Sequence, residues 1–147
     1  MYVDFDYECL ASFDSYILEK RNCYFAMEPE EHRLALKKDI YFNNALMIAS
    51  PRHLFFKSII NHLHTKSVIY TESKFLDVLS STGPMMLTTL YEKYKDKSSV
   101  SFFSSEQVSP WSKNEVSNYI NGNASLENLA KKLEKAIAIH YFFGTWL

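Results

Sequence analysis

The sequence predicts an α/β fold, layered about a largely parallel sheet, on three observations. Short β-branched and aromatic runs alternate with amphipathic helical stretches, the order that packs helices against a sheet. The 147 residues are 47% hydrophobic, enough for one domain to bury a core. Glycine and proline are scarce, 3 and 4 residues, which excludes disordered, collagen-like and repeat chains. Residues 1–147 therefore read as a single domain without an internal linker.

Each element follows from its residues. "MYVDF" reads as a strand. "ECLASFDSYILEK" reads as a turn and a short helix, with Ser12 or Asp14 as its cap. "NCYFAM" is a second strand, and "EPEEHRLALKKD" a polar loop or short helix. "IYFNNALMIAS" is apolar but holds Asn43 and Asn44, whose burial is costly without hydrogen bonds. "SPRHLFFKSIINHLH" predicts an amphipathic helix capped by Ser50 with Pro51 in its first turn. Gly83 and Pro84 open a further helix through "MMLTTLYEKYKD". "SVSFFS" is a strand, "EQVSPWSKNEVSNYINGNAS" a loop, "SLENLAKKLEKA" a helix, and "IAIHYFFGTWL" a strand running into a glycine-bearing tail.

Charge narrows the functional classes. Sixteen basic residues face 17 acidic ones with no basic run, so the electrostatic footprint of a nucleic-acid binder is missing. Cys9 and Cys23 have neither CxxC nor zinc-finger spacing and read as reduced thiols, which suits the cytoplasm. Neither a signal peptide nor a run of ~20 apolar residues is visible. "RHLFFKSIINHLHTK" reads two ways: a helix packed on the sheet, or one lying on a membrane surface as a peripheral association.

The opening "DFD" carries the sharpest chemistry. On a strand, Asp4 and Asp6 point the same way while Phe5 packs behind. Two carboxylates side by side repel unless a cation lies between them or one takes a proton. Mg²⁺ or Mn²⁺ suits such a pair, since these ions combine one or two carboxylates with substrate phosphates. A capping or solvent-facing pair is the alternative. His140 on an apolar strand reads first as a hydrogen-bonded core residue, and Trp146 as packing.

Four pieces in order, "DFDYECL", "NALMIAS", "STGPMMLT" and "IHYFFGTW", resemble glycosyltransferase family 32. This family of DXD-containing enzymes includes bacterial capsule transferases and fungal initiating mannosyltransferases. Its pattern resembles D-x-D-x-E-C-L, an N-A-x-M-A-S segment, a T-G-P turn and an H-x-x-x-[GS]-[ST]-W tail. Thr145 stands where serine is commoner, which keeps the hydroxyl.

The resemblance implies a GT-A-like layered domain and a metal-dependent, retaining hexosyltransferase in surface or capsular polysaccharide synthesis. It implies a nucleotide-sugar donor, a glycan or lipid-linked acceptor, and Mn²⁺ or Mg²⁺ as cofactor. Asp4 would meet the donor, and Asp4, Asp6 and His140 would hold the cation. Asn44, Thr145 and Trp146 would bind the donor, and Gly83 and Pro84 would shape the acceptor side. No general base is assigned; Glu8 is a neighbour only. Such a transferase is expected in the cytoplasm or at the inner face of the membrane. Family members reach D-x-D only after a long N-terminal segment that supplies nucleotide-binding strands. The chain is thus expected to match the part from D-x-D onward, as a fragment, a split-gene product or an inactive remnant. In the last case it acts as a glycan- or partner-binding module.

Overall fold

The computed structural model describes residues 1–17, 22–66 and 71–144. A four-stranded sheet is built from β1 (Tyr2–Val3), β4 (Phe42–Ala49), β3 (Cys23–Met27) and β5 (Val100–Phe103), in that spatial order. The strands β2 (Tyr7–Cys9) and β6 (Ala138–His140) form a separate antiparallel pair. Between the strands lie α1 (Glu30–Ala35), α2 (Leu54–Thr65), α3 (Lys74–Ser81) and α4 (Pro84–Lys93), then α5 (Ser105–Val108), α6 (Lys113–Ile120) and α7 (Leu126–Leu133).

The α/β class holds, but the sheet is mixed rather than largely parallel. β3 runs parallel to β5 and antiparallel to β4, and β1 is antiparallel to β4. The reason is the connection from β3 to β4. It contains only the six-residue α1, too little to cross a sheet face and return in parallel.

β3 is the centre, buried on both faces, and its side chains alternate between two cores. Cys23 and Phe25 face Phe55 and Ile59 of α2 and Leu87 and Tyr91 of α4. Tyr24 and Ala26 face Leu46, Phe103, Val108 and Ile137. A third cluster, Trp111, Val116, Leu129 and Ile139, ties α6 and α7 to β6. Phe25 anchors the first core, with ring centroids 4.9 Å from Phe42 and 5.7 Å from Phe55.

Several local expectations change. "MYVDF" is a strand only through Val3; the Tyr7 amide donates to the Asp4 carbonyl at 3.3 Å, so Asp4–Tyr7 is a β-turn. Aspartate is favoured at the first position of such turns. Phe5, expected to pack behind the pair, is fully exposed at the turn's tip. The predicted helix in "ECLASFDSYILEK" falls partly outside the described residues. Its described part is a turn in which the Asp14 amide donates to Ser12 Oγ at 3.1 Å.

α2 begins after Pro51 and is capped by His53, whose Nδ1 accepts from the Phe55 amide at 3.2 Å, not by Ser50. The expected loop after Phe103 contains α5 and α6, each opened by a capping box. The Ser104 amide donates to Gln107 Oε1 at 3.0 Å and the Ser112 amide to Glu115 Oε2 at 2.9 Å. α3, unforeseen, is held at its start by Asp77, which accepts from the Thr71 amide at 2.8 Å and hydroxyl at 2.7 Å.

Candidate functional site

The turn Asp4–Tyr7 carries the chain from the main sheet to the β2–β6 pair, so it sits where the two meet. Before the turn, the Asp4 amide donates to the Ala45 carbonyl at 2.8 Å. After it, the Tyr141 amide donates to the Asp6 carbonyl at 2.9 Å. The two ends of the chain are thereby joined across one turn.

Asp6 is the hub. Its Oδ2 accepts from the Phe143 amide at 3.0 Å, and its Oδ1 lies 3.4 Å from His140 Nε2. The histidine beside it, with the Phe143 amide assisting, holds the Asp6 carboxyl below the ordinary aspartate value, against the opposing effect of partial burial. The His140 side chain is 8% exposed and that of Asp6 17%. Tyr7 stacks on the imidazole, with centroids 4.4 Å apart and planes 9° apart, and Phe142 closes in from 3.9 Å. Phe142 adopts a left-handed backbone, φ 51°, which is strained for an aromatic residue and typical of built sites.

Asp4 has a different environment. Its Oδ1 accepts from the Tyr2 hydroxyl at 2.6 Å, which pushes the Tyr2 phenol up. Among the described residues, no three of His, Cys, Asp and Glu are grouped to hold a metal ion. The expected set of Asp4, Asp6 and His140 is thus not assembled as a triad, because the turn separates the aspartates that a strand would have aligned. Asp6 and His140 remain as a pair. Two ligands at right angles on Mg²⁺ lie about 3 Å apart; the two side chains here are 3.4 Å apart.

Next to this pair lies a buried polar cluster that the sequence did not single out. β4 bulges where Phe25 pairs with Met47 but Ala26 with Asn43, and bulges re-aim side chains. Within the bulge, the Ala45 amide donates to Asn43 Oδ1 at 3.1 Å. This Asx-type bond leaves Asn43 Nδ2 buried with no hydrogen bond of good geometry, although it faces the Tyr7 hydroxyl. Among the described residues only three buried side-chain polar atoms are so orphaned, and His140 Nδ1 is a second. Such groups cost free energy unless something pairs with them, so two in one cluster mark a place for a polar ligand or water.

Tyr7 links the two orphans. Its hydroxyl lies 3.3 Å from Ser109 Oγ; burial pushes the phenol strongly up, with Ser109 and Asn43 pulling it back and the Glu28 charge adding to the rise. Glu28 directly follows the C-terminal end of β3, near the end of parallel β5, the position where α/β sheets bind ligands. Its buried carboxylate accepts from His32 Nδ1 at 2.6 Å. The Lys113 amide donates to His32 Nε2 at 3.3 Å, which leaves Nδ1 as the nitrogen that donates to Glu28.

The remaining expected residues lie apart from this centre or beyond description. Asn44 is half-buried next to Asn43 on β4, within the bulge. Gly83 and Pro84 join α3 to α4, with Pro84 at the first helical position. A Cβ at Gly83 would come within 2.9 Å of the Leu79 Cα, so close helix packing requires glycine there. Thr145 and Trp146 lie outside the described residues. Glu8 accepts from the Tyr141 hydroxyl at 2.5 Å, and burial together with that carboxylate pushes the phenol up to about 12.

Signals for the missed residues were weak. Glu28 and His32 show only i,i+4 spacing, and Asn43 differs from Asn44 only through a bulge. A groove of about 600 Å³ opens beside the cluster at Pro29 and Ser109. Four of its charges pair with each other, Lys132 with Glu115 at 2.6 Å and Lys135 with Glu106 at 3.2 Å. Comparison of the chain with protein-family models, curated proteins and solved structures returns no match.

Proposed function

We propose that the protein is a glycosyltransferase region that binds a nucleotide-sugar donor through a divalent cation and transfers the sugar, with retention, to a glycan or lipid-linked acceptor. The single observation that carries this reading is the meeting of Asp6 and His140, 134 positions apart, at 3.4 Å beside two orphaned polar atoms. That convergence joins two of the four motifs on which the family resemblance rests, "DFDYECL" and "IHYFFGTW".

In this reading Asp6 and His140 hold Mn²⁺ or Mg²⁺. When bound there, such an ion would supply positive charge against the leaving diphosphate. The chain's own residues then have separate tasks. The Phe143 amide and the stacked Tyr7 ring hold the two ligands in place. The orphaned NH₂ of Asn43 donates to a sugar hydroxyl, the task the resemblance implies for Asn44. Glu28 accepts from a second hydroxyl while His32 holds its carboxylate in orientation. Sites that hydrogen-bond substrate hydroxyls discriminate strongly, because an analogue lacking them leaves buried groups unpaired.

Calorimetric titration with nucleotide-diphosphate sugars, with and without Mn²⁺, tests the proposal. Binding of at least one donor that requires Mn²⁺ and is lost in Asp6→Asn supports it. Metal-independent binding, or no effect of that substitution, refutes it. A second reading, a non-catalytic glycan- or partner-binding module, is favoured by the Tyr2 hydroxyl that occupies Asp4. Glycan binding without donor binding would select it.

A further inference from the structure

We propose that the outer face of α2 docks on an anionic lipid bilayer. α2 has two apolar sides. Phe55 and Ile59 are buried against the sheet and α4. On the outside, Leu54 and Ile60 stay 66% and 52% exposed, and Leu63, half a turn round the helix from Leu54, stays 46% exposed at the margin of the buried side. Single exposed leucines are ordinary; the charge around these three is not. From Ser50 to Lys66 the chain has no aspartate or glutamate, while Arg52, Lys57 and Lys66 are cationic.

The apolar and basic groups are interleaved on one surface. Arg52, Leu54, Lys57 and Ile60 line a single open groove of about 600 Å³ together with His53 and Phe56. Lys57 lies one turn from Leu54 and one turn from Ile60, so its stem covers apolar surface while its ammonium reaches outward. At the other end of the helix, desolvation first, and then the charges of Lys66 and of Lys93 on α4, depress His62. The helix therefore presents cations along its length with apolar tips among them, the pattern of interfacial helices.

Charge complementarity selects the occupant. A second copy docking through the same face would place lysines against lysines. A nucleic acid would use the cations but leave Leu54, Ile60 and Leu63 in water. A bilayer with anionic headgroups satisfies both sets, and each lysine near such a surface strengthens binding about fivefold. No helix among the described residues is long and apolar enough to cross a membrane, so the contact is with the surface.

The test is sedimentation of the full chain with vesicles of phosphatidylcholine alone or mixed with phosphatidylglycerol. Binding to the mixed vesicles only, weakened by salt, is expected. Lys57→Glu reverses one charge and should reduce that binding about tenfold or more. Ile60→Ser should reduce it while leaving the circular dichroism spectrum unchanged, since both sites are exposed. Equal binding to neutral vesicles, no binding to either, or insensitivity to both substitutions overturns the proposal. So does a lipid-free dimer, seen by light scattering, that Ile60→Ser dissolves.

Discussion

Asp6 ties the first and last parts of the chain together with one carboxylate, and that makes its protonation consequential. Its folded value lies below the ordinary 3.8, so its ionised form stabilises the folded chain. That contribution is complete above 3.8 and is lost as pH falls through the lower folded value. The protection factor of the Phe143 amide against hydrogen exchange should therefore stay high at neutral pH and fall only as pH drops below 3.8 through the lower folded value. Asp6→Asn should give the low protection at all pH values; unchanged protection would show that the tail is held by other contacts. Asn43 and Asn44 separate in the same way. Asn43→Ala removes a buried bond to the Ala45 amide and should cost about 1–3 kcal/mol in urea unfolding. Asn44→Ala, half-buried, should cost under about 0.5 kcal/mol.

Among the elements, the α3–α4 junction and β3 carry the clearest stability predictions. Gly83→Ala forces a Cβ to 2.9 Å from the Leu79 Cα, where backbone must move, and should cost about 1–3 kcal/mol. Phe25→Ala empties the centre of the first core and should cost about 3–5 kcal/mol, measured by the shift in urea midpoint. Most elements were legible where one periodicity dominated: "NCYFAM" as a strand and "SLENLAKKLEKA" as a helix. α5 and α6 were not, although "SSEQ" and "SKNE" are capping boxes, because Pro110 and the surrounding Ser and Asn read as loop. "DFD" was legible as a candidate site but not as a turn. Strand propensity at Tyr2 and Val3 extends naturally to Phe5, and only pairing with β4 and β6 ends it. Asn43 was indistinguishable from Asn44 until the bulge in β4 fixed which amide faces inward.

The whole molecule is organised around the seam between its two sheets. β3 and β5 deliver Glu28 and Ser109 from one side, and the β2–β6 pair delivers Tyr7 and His140 from the other. The direction of each strand could not be read from the chain, because it depends on how much lies between partners and which face that segment covers. The near-balance of charge across the molecule hides the acid-free stretch of residues 50–66, whose outer side becomes visible only when Phe55 and Ile59 are seen to face inward. The central claim is that Asp6 and His140 together hold a cation that a sugar donor needs. Mn²⁺ electron paramagnetic resonance, read during titration with nucleotide-diphosphate sugars, tests it most directly. Donor-dependent immobilisation of Mn²⁺ is expected, weakening at least about tenfold in His140→Ala and vanishing in Asp6→Asn. Full immobilisation in both variants, or none in the native chain with any donor, would contradict it.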